Sequence, residues 1–175
     1  MSFVRLLSAF AIIAATSPAW AEDKPLGVDL VATVIAGLAD GATAQLAPEP
    51  LIFKRAAPGS YEGTTATGVA ANLVVVESSP CVFDLTFTFG DQTLPVRIDA
   101  GLIKSIKFVE GGSMGLAEPM KPWSVQLEGP EGLASRLLAD GGTEALDNSP
   151  PIATSIPLAE LEAAAANLQE LCPTR

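Results

Sequence analysis

The chain contains no histidine. That absence removes every mechanism in which an imidazole acts as general base, proton shuttle or metal ligand, the Ser-His-Asp and Cys-His arrangements included. Basic residues are scarce, with 10 Lys and Arg against 20 Asp and Glu, for a net charge of −10. Nucleic acids and anionic lipid headgroups both select basic surfaces, so this balance argues against either as a partner. There are two cysteines and no Cys-x-x-Cys pair, which leaves neither a dithiol redox motif nor a zinc-ribbon spacing. Aromatic residues make up 6% of the chain, with a single tyrosine. Beyond residue 21 no stretch reaches the roughly 18 uninterrupted apolar residues of a membrane-spanning helix.

What is present begins with an export signal. Arg5 is the only charge in residues 1–21, followed by an apolar run from Leu6 to Ala15 and then by Ala19-Trp20-Ala21. A basic start, an apolar run of about ten residues and an Ala-x-Ala end mark a secretory signal peptide, cut between Ala21 and Glu22. The alternative, an N-terminal membrane anchor, needs roughly 20 apolar residues and this run is too short. No cysteine follows the cut to carry a lipid. The expectation is a periplasmic or secreted protein in which residues 22–175 form one domain, with no stable membrane insertion after cleavage. Those 154 residues carry a net charge of −11, and a chain of that size buries roughly two-thirds of its unfolded surface.

Leu30, Val31, Val34, Ile35 and Leu38 recur at helical spacing, which predicts a short helix over 29–39 with Asp29 as N-cap and Gly41 near its end. Ala47-Pro48-Glu49-Pro50 then breaks any helix. Residues 51–128 read as a sheet, with strands at 51–55, an exposed Thr-rich 61–67, and 73–77. The clearest signal is the alternation of Cys81, Phe83, Leu85, Phe87 and Phe89, resumed by Leu94, Val96, Ile98 and Ala100. It predicts a half-buried antiparallel hairpin. A turn at Gly90-Asp91 sets Asp84 opposite Arg97, whereas a turn at Asp91-Gln92 would set Asp84 opposite Asp99, a repulsive pair. Pro95 points to an edge strand or a bulge. Strands at 105–110 and 123–127 follow, 133–138 is open between strand and helix, 140–151 is a polar loop, and 152–156 is a last short strand. Leu158, Leu161, Ala165, Leu168 and Cys172 make one apolar stripe, so a C-terminal helix starts after Pro157 and stops at Pro173. The fold class expected is α+β. A curved antiparallel sheet of about five to seven strands is covered by the C-terminal helix, with the N-terminal helix nearby. Partial closure into a barrel would place a ligand at its mouth.

Two cysteines in an exported chain predict one disulfide, Cys81 to Cys172. Both fall on inward faces, one on the strand and one on the helix stripe. Catalytic constellations are weak. Ser105 and Lys107 share one strand face, a Ser–Lys pair in principle and a solvated surface in ordinary terms. Asp84, Asp91 and Asp99 are near one another, but on a wet face where each would ionise, while glycoside hydrolysis needs one raised acid. Gly129 to Gly132 lacks the length and the Lys of a phosphate loop. Asp140, Glu144 and Asp147, with Asn148, offer hard oxygens for calcium without EF-hand spacing, and a plain acidic loop is the ordinary account. Met114, Met120 and Trp123 are a soft Cu(I) set on paper and packing residues by habit. Tyr61 and its Thr-rich strand form a candidate ligand-facing surface.

Cys81-Val-Phe-Asp-Leu, Arg97-Ile-Asp99 leading into Leu102-Ile-Lys-Ser-Ile106, and the closing Asn167-Leu-Gln-Glu-Leu-Cys172 resemble phrases in small exported alphaproteobacterial proteins of unknown function. The resemblance covers about Tyr61 to Cys172. It implies an exported sheet-plus-helix module and carries no catalytic residue. The expectation is therefore a non-catalytic binding or accessory module of the cell envelope, without a cofactor, whose partner is an envelope protein or a small ligand. A carboxylate-dependent hydrolase, calcium-assisted or not, is the second reading, and a purely structural envelope protein the third.

Overall fold

The computed structural model describes residues 26–44, 50–111, 121–146 and 152–175. The chain begins with α1 (Gly27–Ala36) and passes through β1 (Thr43–Ala44), β2 (Leu51–Ile52), β3 (Lys54–Ala57), β4 (Ser60–Thr64), β5 (Ala70–Ser79), β6 (Val82–Phe89) and β7 (Gln92–Asp99). A 3-10 turn at Ala100–Leu102 leads to β8 (Ser105–Glu110), β9 (Lys121–Glu128), β10 (Ala134–Leu137), β11 (Thr143–Ala145), β12 (Ile152–Thr154) and α2 (Leu158–Leu171).

The strands form two antiparallel sheets, one of five in the order β2-β1-β12-β9-β8 and one of seven in the order β11-β10-β7-β6-β5-β4-β3. Both are open, so the fold is α+β without a closed barrel. The chain changes sheet at Phe53, at the 3-10 turn, between β9 and β10, and again between β11 and β12. Phe53 is fully buried and its N–H donates to Ala42 O at 2.9 Å, which pins the crossing. α1 packs on β5 and α2 on β8, and the helices pack on each other, so the pair bridges the two sheets. The core follows: Leu30, Val31 and Val34 of α1 meet Leu73 and Val75 of β5, Phe83 of β6, Ile98 of β7 and Leu168 of α2.

The central hairpin takes the register that its charges favour. Asp84 pairs with Arg97 across β6 and β7, with Gly90-Asp91 at the turn. The segment 133–138 resolves as the strand β10, because Ala134 and Ser135 pair with Ile98 and Arg97.

Several local expectations are corrected. β7 lies between β6 and β10 with an unbroken register to β6, so Pro95 marks neither an edge strand nor a bulge, and β11 forms inside the expected 140–151 loop. Asp29 is not the cap of α1: Leu26 is, and Gly37 rather than Gly41 ends the helix, in a left-handed conformation (φ +64°) that only glycine adopts cheaply. Cys81 lies in the β5–β6 turn at φ +61°, not on the strand. Tyr61 is not ligand-facing; it is 2% exposed, because β4 alternates with Tyr61 and Gly63 inward.

Candidate binding cleft

Where β9 leaves its sheet, the segment Gly129–Leu133 carries the chain across to β10. A cleft of about 440 Å³ opens beneath it. Val125, Leu127, Leu133, Ala134 and Leu146 give it apolar walls, and Gln126 and Glu131 stand among its polar groups. Val125 and Ala134 belong to the buried core, so the floor is fixed by packing rather than by the crossing segment. Ala145 closes one side from β11, an exposed strand whose Glu144 lies opposite Arg136. A shallower polar hollow adjoins it, sharing Glu131 and Ala145 and adding Ser135 and Thr143. An apolar floor with a few polar groups at the rim is the usual make-up of a small-molecule site.

Glu131 apart, the cleft holds none of the ion pairs, and four of these are formed elsewhere among the described residues. Asp29 accepts from Arg55 Nε at 3.0 Å and Nη2 at 2.6 Å, from the Gly59 N–H at 3.0 Å and from the Tyr61 hydroxyl at 2.8 Å. Burial pushes this carboxyl up, but Arg55, the Gly59 N–H and Tyr61 outweigh it and hold the group below its usual value. Burial, reinforced by Asp29 beside it, pushes the Tyr61 hydroxyl up. Asp84 accepts from Nε and Nη2 of Arg97, at 2.7 and 2.9 Å, and its carboxyl is lowered mainly by that contact. Asp99 holds Arg175 at 2.6 Å and accepts from the Gly101 N–H at 3.1 Å. Asp91, in the hairpin turn, lies away from both of these pairs.

Ser105 and Lys107 do share a face, as their spacing implies, but neither meets the other. Each donates to Glu128, at 2.6 Å, which lowers that carboxyl and turns the lysine nitrogen to it rather than to the serine hydroxyl. Such a set has no activated nucleophile; a Ser–Lys mechanism needs a neutral amine beside the hydroxyl. Asp140 caps its own turn by accepting from the Gly142 N–H at 2.9 Å. Asp147, Asn148, Met114, Met120, Ala21 and Glu22 lie outside the described residues. Among the described residues no group of three or more Cys, Asp and Glu side chains is placed to hold a metal ion. Trp123 is a core residue of a second apolar cluster with Val125, Ile156 and Leu161. Its indole N–H has no partner among the described residues.

The disulfide joins Cys81 and Cys172, with Cα atoms 5.5 Å apart. No helix among the described residues is long and apolar enough to cross a membrane. Sequence reasoning missed the cleft, because its lining comes from β9, β10 and β11, which are adjacent only in space. It also missed the Asp29 cluster, whose other members lie 26 to 32 residues from Asp29. No family model matches the chain, and neither a curated protein nor a solved structure matches it.

Proposed function

We propose that the chain is exported by an N-terminal signal peptide cut after Ala21, and that it serves the cell envelope as a non-catalytic binding or accessory module. The cleft under the β9–β10 crossing carries this reading. Its walls are apolar, and among the described residues Glu131 is the one acid that lines it, which suits orienting a ligand. Two-carboxylate hydrolysis would need a second acid facing the first. The Cys81–Cys172 bridge supports an oxidising compartment. A net charge of −10 suits basic partners rather than acidic ones.

The test is a pull-down of the protein from periplasmic extract, followed by native mass spectrometry, on wild type and Ala145→Trp. Ala145 is exposed on β11, so a large side chain there fills the cleft without entering the core. The expected result is a stoichiometric small-molecule adduct on wild type that the variant lacks. A bare wild-type monomer would overturn constitutive binding, and an adduct retained by Ala145→Trp would remove the cleft from the argument.

A further inference from the structure

Among the described residues the five-stranded sheet ends at β8, which pairs there only with β9. The Gly111 N–H donates to Pro122 O at 2.8 Å, and that bond fixes the alternation along the ladder. Ser105, Lys107 and Val109 therefore turn their backbone groups toward β9, while those of Ile106, Phe108 and Glu110 turn to the open side. Among the described residues none of these outward groups has a partner. Bare rows of this kind are templates for another strand, and proteins blunt them with bulges, prolines or very short strands. The other three edges are blunted: β3 is bulged between Arg55 and Ala57, and β2 and β11 have two and three residues. β8 keeps an unbroken register over six residues.

A groove of about 370 Å³ runs between this edge and α2. Ile106 and Phe108 line it on the strand side, and Glu162, Ala166 and Gln169 line it from one face of the helix. Gln169 closes one end through a 3.5 Å bond to Lys104 O. The charge left free around the groove is acidic. Lys107 is neutralised by Glu128 at 2.6 Å, whereas Glu110 and Glu162 have no ionic partner among the described residues. Lys104 lies beyond the closed end.

We infer that the β8 edge takes an extended basic segment of a partner protein as an added strand. Its apolar residues lie in the groove against α2, and a Lys or Arg meets Glu110 or Glu162. Main-chain bonds supply the attachment and the alternating side chains supply the selection. A second copy of this chain fits worse, because each copy brings a net charge of −10. The inference rests on the binding-module reading and places the protein partner on a surface separate from the cleft.

The probe is acetyl-Lys-Val-Lys-Val-Lys-Val-amide, set against its Glu-Val counterpart and a form N-methylated on alternate residues. The readout is amide hydrogen exchange by NMR on the disulfide-bonded protein. At ten times its Kd the Lys-Val peptide slows exchange at Ile106, Phe108 and Glu110 about tenfold, and the two control peptides do not. Glu162→Lys, at an exposed helix position, weakens this binding about fivefold or more. Glu110→Pro removes one outward donor while leaving the bonds to β9, and abolishes protection with the circular dichroism spectrum intact. Equal protection by the Glu-Val or N-methylated peptide, or none at millimolar Lys-Val peptide, overturns the inference. So does protection already present in the free protein. If it grows with protein concentration, a second copy holds the edge; if it is independent of dilution, the chain's own residues do. Loss of this protection beside a retained cleft adduct defeats the strand-addition proposal alone. Loss of the adduct with protection retained defeats the cleft alone.

Discussion

Asp29 sits in the first turn of α1 with its side chain 12% exposed, and it gathers Arg55, Tyr61 and the Gly59 backbone around one carboxylate. That clasp holds the start of the helix on the β3–β4 hairpin, so it belongs to the core's assembly rather than to a reaction. Asp29→Asn keeps the shape and removes the charge. It is expected to cost about 2 kcal/mol at neutral pH, because Arg55 and Tyr61 keep their places against a weaker acceptor. The pH dependence has a definite sign. The folded carboxyl lies below the usual 3.8, so between those two values the unfolded chain binds the extra proton. The contribution of Asp29 is therefore complete above about pH 4 and drains away as the pH falls through the folded value. Urea unfolding at pH 7, 4 and 2.5 is expected to show a shallower acid-side loss for Asp29→Asn than for wild type; equal slopes would deny the clasp its charge. Gly59 adds a second constraint at the same spot. Its φ is +69°, and a Cβ there would stand 2.6 Å from Val75 O and 2.9 Å from Val28 Cβ. Gly59→Ala is expected to lower stability by about 2–3 kcal/mol, measured by the same titration.

At the scale of elements, the hairpin β6–β7 and the helix α2 were legible in the sequence, and the reason is locality. Alternation along β6 and a stripe of Leu161, Ala165 and Leu168 each appear within a dozen residues, and burial follows both patterns. Of two registers that hydrophobicity alone left equal, the chain takes the one that charge favours. This choice can be tested by reversal. Arg97→Asp sets two carboxylates face to face and is expected to destabilise the protein, while adding Asp84→Arg restores most of the loss. Because the side chains are 42% and 26% exposed, a double-mutant cycle should give a coupling of about 1 kcal/mol. A coupling near zero would mean that turn geometry, not charge, sets the register. The alternation has a limit, however: Leu94 falls on the inward phase but is 39% exposed, since the far end of the hairpin extends past the core. The division into two sheets was not legible. β1, β2 and β12 have two or three residues each, too few to display a period, and they are recognisable only through partners as remote as Thr154 for Ala44. Asp29 shows the same blindness. An acid at the head of a helix reads as a cap, and only the fold brings Tyr61 to it.

For the whole molecule, the decisive link is the bridge between the β5–β6 turn and the end of α2. It spans 91 residues, and α2 is the element that rests on the five-stranded sheet while meeting α1, which rests on the seven-stranded one. The terminus beyond it has further ties: Thr174 donates to Ile103 O at 2.9 Å, and Arg175 holds Asp99. These contacts do not involve the sulfur atoms, so the native structure is expected to persist without the bridge. The bridge then acts mainly by restricting the unfolded chain, which for a loop of this length is worth about 4–5 kcal/mol on the chain-entropy model. The two accounts of its action separate in one titration. If the cross-link works through the unfolded state, the Cys81→Ala/Cys172→Ala protein unfolds at lower denaturant and with a larger m-value, because its unfolded chain expands further and exposes more surface. If it works by holding native contacts that the ties at Thr174 and Arg175 cannot keep, the midpoint falls with m unchanged or reduced. The second result would also predict early exchange of the α2 amides, since a helix released from the bridge would open before the rest. The independent ties at Ile103 and Asp99 favour the first.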